Sequence, residues 1–300
     1  MDSEATPFDA GGLAAGSGAR RPPWTLFRKA LGEAGFRPTK TRGQNFLIDP
    51  NVHAAIVRDA GIGKDDRVLE VGAGCGFLSC HIAEACGELL TVEIDSRLAE
   101  IAQRFLAPYD NVRVLVADAL AKKHALHPDL AEALQRFSPY HLVANLPYNI
   151  AAPLVAVLAR SSYAPESITV LVQREVAERL SAQPGDGAWG AISARLALRY
   201  RSRLGRDVGP QLFWPRPRVE SAVVHLARRD DVPAEDGLED LERLIETAFR
   251  HPRRQLPGAL EEFFGSKAEV GRVLSDLEID PQIRPGELTR TDLIRLASSL

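Results

Sequence analysis

The sequence predicts an α/β fold: a doubly wound, mostly parallel sheet followed by a small all-helical C-terminal domain. Three observations predict it. Short apolar runs alternate with helix-like segments from residue 67 to residue 172. The alternation fades from Gly185 onward, apart from one last apolar run. After the polar stretch "RDDVPAEDG" (229–237) only helical periodicity remains. Strands and helices at that pitch wind a parallel sheet, and the polar stretch marks a domain boundary.

The elements follow in order. The opening "MDSEATPFDAGGLAAGSGARRPP" is small, polar and rich in Gly and Ala, so residues 1–24 are expected to be a disordered tail. It lacks the basic and apolar regions of a signal peptide. "TLFRKALGEAGF" and "NVHAAIVRDAGI" are helix-like, the second capped by Asp49 or Asn51 and stopped by Gly61. Strands are expected at "RVLEVG" (67–72), "LLTVEID" (89–95), "VRVLVAD" (112–118), "YHLVAN" (140–145), "SITVLV" (167–172) and "SAVVHLA" (221–227). "GFLSCHIAEAC", "SRLAEIAQRFLA" and "APLVAVLAR" supply helices between them, and "AWGAISARLALRYR" reads as one amphipathic helix. Residues 25–229 are assigned to the sheet domain and 230–300 to the helical domain, with helices at "LEDLERLIETAFR", "PGALEEFF", "AEVGRVLSDL" and "TRTDLIRLASSL".

Composition narrows the function classes. A chain of 300 residues with 45% hydrophobic and 26% charged residues is ordinary for a globular protein and buries a core without staples. No run of 18 apolar residues is present, so no membrane span is expected. Three cysteines (Cys75, Cys80, Cys86) without CxxC spacing argue against a zinc site or a disulfide framework and fit a reducing cytoplasm. The net charge of −3 hides a segregated pattern. Seven basic residues against Glu33 lie between Arg20 and Arg42, and nine arginines against Asp207 and Glu220 between Arg195 and Arg229. A charge run is commonly a solvated face; two segregated Arg-rich stretches also suit phosphate contacts.

The chemistry-bearing segments lie at expected strand ends. The first strand runs into "EVGAGCGFLS", where glycines permit a tight turn and close approach of a ligand. The dinucleotide fingerprint needs a glycine where Phe77 stands, and Glu70 precedes the loop, so a ligand without phosphates fits better, such as S-adenosylmethionine. Glu93 ends the second strand about 20 residues on, where an acid accepts hydrogen bonds from ribose hydroxyls. Asp118 ends the third, placed to accept an adenine amino group. Either acid alone is an ordinary cap or surface residue; both together point to a nucleoside site. "VANLPYNIAAPL" (143–154) sets Asn145, Pro147 and Tyr148 on the tip of another strand. Its plain reading is a strand-ending turn with a packed tyrosine.

The ordered set "GQNFL", "LEVGAGCG", "VEID", "ADAL", "NLPYNI", "VQREVAERL", "FWPRPRVESAVVHL" and "RHPRRQLPGAL" resembles the small-subunit (16S) rRNA adenine N6,N6-dimethyltransferases over residues 40–300. The resemblance implies a Rossmann-like S-adenosylmethionine-dependent methyltransferase sheet carrying a small helical domain. It also implies a cytoplasmic, monomeric enzyme that dimethylates two adjacent adenosines in a 3′-terminal hairpin loop during assembly of the 30S particle. By the same resemblance, Asn45 and Leu47 line the cofactor pocket, Gly72 approaches the methionine part, Glu93 holds the ribose and Asp118 the adenine amine. Asn145, Leu146 and Tyr148 face the methyl group and the target base, which Phe213 helps to sandwich. One departure concerns RNA contacts: the C-terminal basic block reads Arg253-Arg254-Gln255, one lysine short.

On this reading the Asn145 oxygen and the Leu146 carbonyl accept from the exocyclic amine, Pro147 restricts Leu146 to extended geometry, and Tyr148 stacks on an unstacked base. Two alternatives remain at this level: an Erm-type large-subunit rRNA adenine methyltransferase, and a non-catalytic ribosome-assembly factor that kept the fold.

Overall fold

A computed structural model of the chain describes residues 21–38, 44–122, 124–233 and 235–299. Its centre is a seven-stranded sheet. We number the strands β1 (Arg67–Val71), β2 (Glu88–Glu93), β3 (Val112–Val116), β4 (His141–Asn145), β5 (Ser167–Gln173), β6 (Tyr200–Val208) and β7 (Ser221–Arg228). The spatial order is β3-β2-β1-β4-β5-β7-β6. The first five strands in that order run parallel, and β7 is antiparallel to both β5 and β6. The order reverses between β1 and β4, the position where open sheets of this kind leave a crevice at their carboxyl ends.

Helices cover both faces. α1 (Trp24–Glu33), α2 (Pro50–Ala60), α3 (Phe77–Ala83) and α4 (Ser96–Leu106) lie on one side; α5 (Pro128–Phe137), α6 (Ala151–Arg160) and α7 (Arg174–Ser181) lie on the other. Alternate strand residues therefore enter different cores. Val68 and Val143 pack with α1–α4, whereas Leu69, Leu142 and Ala144 pack with α5–α7. A strand buried on both faces reads as a continuous apolar run, which explains why β1, β4 and β5 were visible in the sequence. The cap expected for α2 is Asp49: its carboxylate accepts from the Asn51 and Val52 amides at 2.8 and 3.0 Å, and Gly61 ends the helix at φ +68°.

α8 (Ala191–Arg199) is followed by α9 (Glu235–Arg250), α10 (Leu256–Ala259), α11 (Glu261–Phe264), α12 (Lys267–Asp276) and α13 (Arg290–Ala297). These helices share a separate core built on Leu244, Leu256, Val270, Leu274 and Leu293. Trp189, Ala194 and Leu198 belong to that core too, so the helical part borrows from residues ahead of the 229/230 boundary.

Two other expectations change. The helix read over "AWGAISARLALRYR" stops at Arg199, and the chain turns straight into β6, whose backbone pairs with β7 along the sheet edge. The tail expected over residues 1–24 reaches less far. Trp24 already begins α1, and Arg21 is tied to His81 and Glu84 at 3.0 Å each; residues 1–20 lie outside the described residues. Among the described residues no helix is long and apolar enough to cross a membrane.

Candidate active site at the carboxyl edge of the sheet

The carboxyl ends of β1, β2 and β4, with the turn after β3, open into one cavity. Eight of the nine residues singled out from the sequence line it: Asn45, Leu47, Gly72, Glu93, Asp118, Asn145, Leu146 and Tyr148. Phe213 does not.

The glycine loop joins the other segments by close approach. Gly72 has φ +83°, and a Cβ there would lie 3.0 Å from Pro147 Cδ. Gly74 has φ +57°, and its Cβ would lie 2.9 Å from Phe46 Cε1. Larger residues at either place meet both strained backbone and occupied space. Gly72 and Gly74 thus bring "EVGAGCG" against Pro147 of "NLPY" and against Phe46. Phe46–Leu47 also forms a two-residue antiparallel ladder with Phe213–Trp214, which fixes the lead-in segment over the cavity.

Three carboxylates face this space. Glu93 is 5% exposed; its two oxygens accept from the Gly74 amide at 2.8 Å and the Asp95 amide at 2.9 Å. Burial raises its pKa, against the opposing pull of those amides. Asp118 is half-buried and accepts from the Leu120 amide at 3.0 Å with one oxygen, leaving the other for a ligand. Glu70 is fully enclosed, and its Oε2 accepts from Ser79 Oγ at 2.5 Å and Thr91 Oγ1 at 2.6 Å. Burial pushes the Glu70 carboxyl up to about 7. His53, 1% exposed, forms part of the wall; burial and the neighbouring His81 ring hold it well below its usual pKa, so it is neutral. Among the described residues no lysine or arginine lines the cavity.

The "NLPY" turn is held at every residue. Asn145 pairs with Leu171 in the sheet, and the Leu146 amide donates to the Leu171 carbonyl at 3.1 Å. The Asn145 Nδ2 donates to the Asn45 carbonyl at 3.3 Å. A carbonyl only accepts, so this contact fixes the amide's orientation and turns its Oδ1 to the other side. Neither that Oδ1 nor the Leu146 carbonyl receives a hydrogen bond from the described residues. Pro147 fills the space above Gly72. The Tyr148 phenol shares a hydrogen bond with Ser221 Oγ at 2.8 Å, and burial raises its pKa, so it stays neutral.

Phe213 lies apart from the cavity lining. It is 3% exposed, packed in the core on the α1–α4 side and paired with Leu47. In this arrangement the ring stands behind the lead-in segment. Sequence reasoning passed over Ser221, Phe46 and His53 as site residues. Ser221 and Phe46 sat inside quoted motifs; His53 carried no signal beyond its place in a helix.

The Arg-rich stretch separates once partners are assigned. Arg195 pairs with Glu242 at 2.6 Å, Arg206 with Asp59 at 2.6 Å, Arg228 with Glu166 at 3.4 Å and Arg229 with Asp231 at 3.6 Å. Arg216 and Arg218, exposed on the segment between Trp214 and β7, make no ion pair among the described residues. They are the cations of this stretch nearest in sequence to the site.

This donor set favours a cationic, hydroxyl-bearing ligand. Among the described residues a pyrophosphate would meet three acids and no lysine or arginine; a sulfonium nucleoside would meet attraction and acceptors for its ribose and adenine. Known proteins agree with that chemistry. The family model described as "Ribosomal RNA adenine dimethylase" matches residues 35–299. A ribosomal RNA small subunit methyltransferase A from Pediococcus pentosaceus is 38% identical over 278 residues, covering 91% of this chain and 93% of its own. One from Thermobifida fusca is 40% identical over 275 residues, covering 90% and 93%. The crystal structure of the 23S rRNA methyltransferase ErmE superposes with a TM-score of 0.67 at 25% identity, covering 85% of this chain and 99% of that one. On the family match and these relatives together, the chain belongs to the ribosomal RNA adenine dimethylase family.

Proposed function

We propose that this protein transfers methyl groups from S-adenosylmethionine to N6 of adenosine in small-subunit rRNA. The finer reading has two adjacent adenosines of a 3′-terminal hairpin loop dimethylated during 30S assembly in the cytoplasm. The carrying observation is the composition of the cavity: among the described residues, three carboxylates and no lysine or arginine, beside two acceptors on the "NLPY" turn that receive no hydrogen bond. The closer likeness to small-subunit enzymes, 38–40% identity against 25% for the 23S enzyme, favours the small subunit over the Erm-type reading.

S-Adenosylmethionine supplies a methyl group already activated on a sulfonium. Glu93 would hold the ribose hydroxyls, Asp118 the adenine amine, and Asn45, Leu47 and Gly72 the walls around the methionine part. The acceptor amine has its lone pair delocalised into the purine ring. Asn145 Oδ1 and the Leu146 carbonyl would accept its two hydrogens and draw the nitrogen toward tetrahedral shape, aiming the lone pair at the methyl group. Both acceptors are neutral and prefixed, so reorganisation at the moment of transfer is small. Tyr148 would stack on the extruded base, which is worth about 1–3 kcal/mol.

The test uses purified protein, methyl-labelled S-adenosylmethionine and unmethylated small or large subunits, with the label mapped by primer extension. Label on adenines of the small subunit alone is expected; label on the large subunit, or none on RNA, overturns the reading. Asn145→Ala should lower turnover by at least about 100-fold while cofactor affinity changes little. Equal losses in both would refute the role given to Asn145.

A further inference from the structure

Ser221 is the first residue of β7 and is completely buried. Because β7 runs against its neighbours, its entry point lies at the edge where the parallel strands end: Ser221 pairs with Gln173, the last residue of β5. That placement brings its hydroxyl to the Tyr148 phenol, 73 residues earlier in the chain, at 2.8 Å.

We infer that Ser221 is a positioning residue for capture of the target base. The hydroxyl anchors the phenol oxygen at the far end of the Tyr148 ring. An anchored para oxygen and a fixed Cβ hold both ends of the ring and fix its long axis, so the ring cannot swing away before any substrate arrives. The backbone of Ser221 lies within the sheet, bonded on both sides, so the anchor is as rigid as the fold permits. Ordering the ring in advance removes a cost otherwise met during binding. The inference rests on reading Tyr148 as the stacking ring. It assigns the "PRPRVES" block a function inside the site: it tunes the ring presented by "NLPY".

The experiment compares Ser221→Ala, Tyr148→Phe, their double variant and Ser221→Thr as full-length proteins. The readouts are kcat and KM on unmethylated small subunits, cofactor affinity by calorimetry, and fluorescence of 2-aminopurine placed at the target position. Each single variant should lose about fivefold to tenfold in kcat/KM, the scale of one hydrogen bond, and should weaken quenching of the stacked 2-aminopurine. Cofactor affinity should be unchanged. The double variant should be no worse than either single one, since both remove the same bond, and Ser221→Thr should restore function. Multiplicative losses, full activity of Tyr148→Phe, or a parallel loss of cofactor affinity would overturn the inference. If Asn145→Ala also retains activity, the reading of the whole site fails. If Asn145→Ala is inactive and the Ser221 variants are normal, only the anchoring role fails.

Discussion

Glu70→Gln should make the protein relatively more stable as the pH rises. In the fold, burial lifts the Glu70 carboxyl from 4.5 to about 7, against the pull of the Ser79 and Thr91 hydroxyls. Between those two values the folded protein holds a proton that the unfolded chain has released. Stability from this group is therefore complete below 4.5, falls through the window and is gone above 7. The full change is on the order of 3 kcal/mol, most of which lies between pH 5 and pH 8. Glutamine is neutral throughout, and one carbonyl oxygen can accept from both hydroxyls, because both already meet the same Glu70 oxygen. Urea denaturation of both proteins at pH 5 and pH 8, at equal ionic strength, gives the comparison. The advantage of Glu70→Gln over the natural protein should grow by roughly 2–3 kcal/mol across that range, whatever offset the substitution introduces at pH 5. Parallel pH profiles would refute the claim that this carboxyl is ionised only at a cost.

Two further predictions address binding. Gly74→Ala combines a left-handed backbone with a methyl 2.9 Å from the Phe46 ring; it should weaken cofactor binding by more than about tenfold, with about 1–2 kcal/mol of strain, read by calorimetry and by thermal unfolding. Arg216→Ala and Arg218→Ala should each weaken RNA binding and lower the slope of log affinity against log salt by roughly 0.7–1, while cofactor affinity stays constant; an unchanged slope would remove that arginine from the phosphate contacts.

Much of the fold was legible because its physics is local. β1, β4 and β5 are buried on both faces and read as apolar runs, and Asp49 and Gly61 bound α2 by chemistry confined to a few residues. β6 was not legible. It is an edge strand with exposed Arg201, Arg203 and Arg206, continuous in pattern with the helix before it, and only its pairing with β7 decides its conformation. The ladder of Phe46–Leu47 with Phe213–Trp214 is too short to leave a period. The acids at strand ends could be placed from spacing, since every parallel strand delivers its carboxyl end to one edge. Ser221 could not, because a serine entering a strand looks the same whether it touches solvent or a phenol 73 residues away. Nor could the seat of Phe213, because its register with Leu47, which packs it into the core, leaves no local signal.

The insertion of β7 between β5 and β6 also sets a timetable for biosynthesis. The chain emerges in the order β5, β6, β7, yet β6 touches the sheet only through β7. The parallel half, with the glycine loop and both strand-end acids, has all its strands once Gln173 has been made. Tyr148 has no anchor until Ser221 follows, and β6 has no partner until β7 slides between it and β5. A nascent chain therefore has its parallel strands first, and acquires both the ladder that fixes Phe46–Leu47 over the cavity and the anchor of the Tyr148 ring last. Long-range pairing of this kind is slow to form, so the edge of the sheet that carries Ser221 is the last part of the site to close.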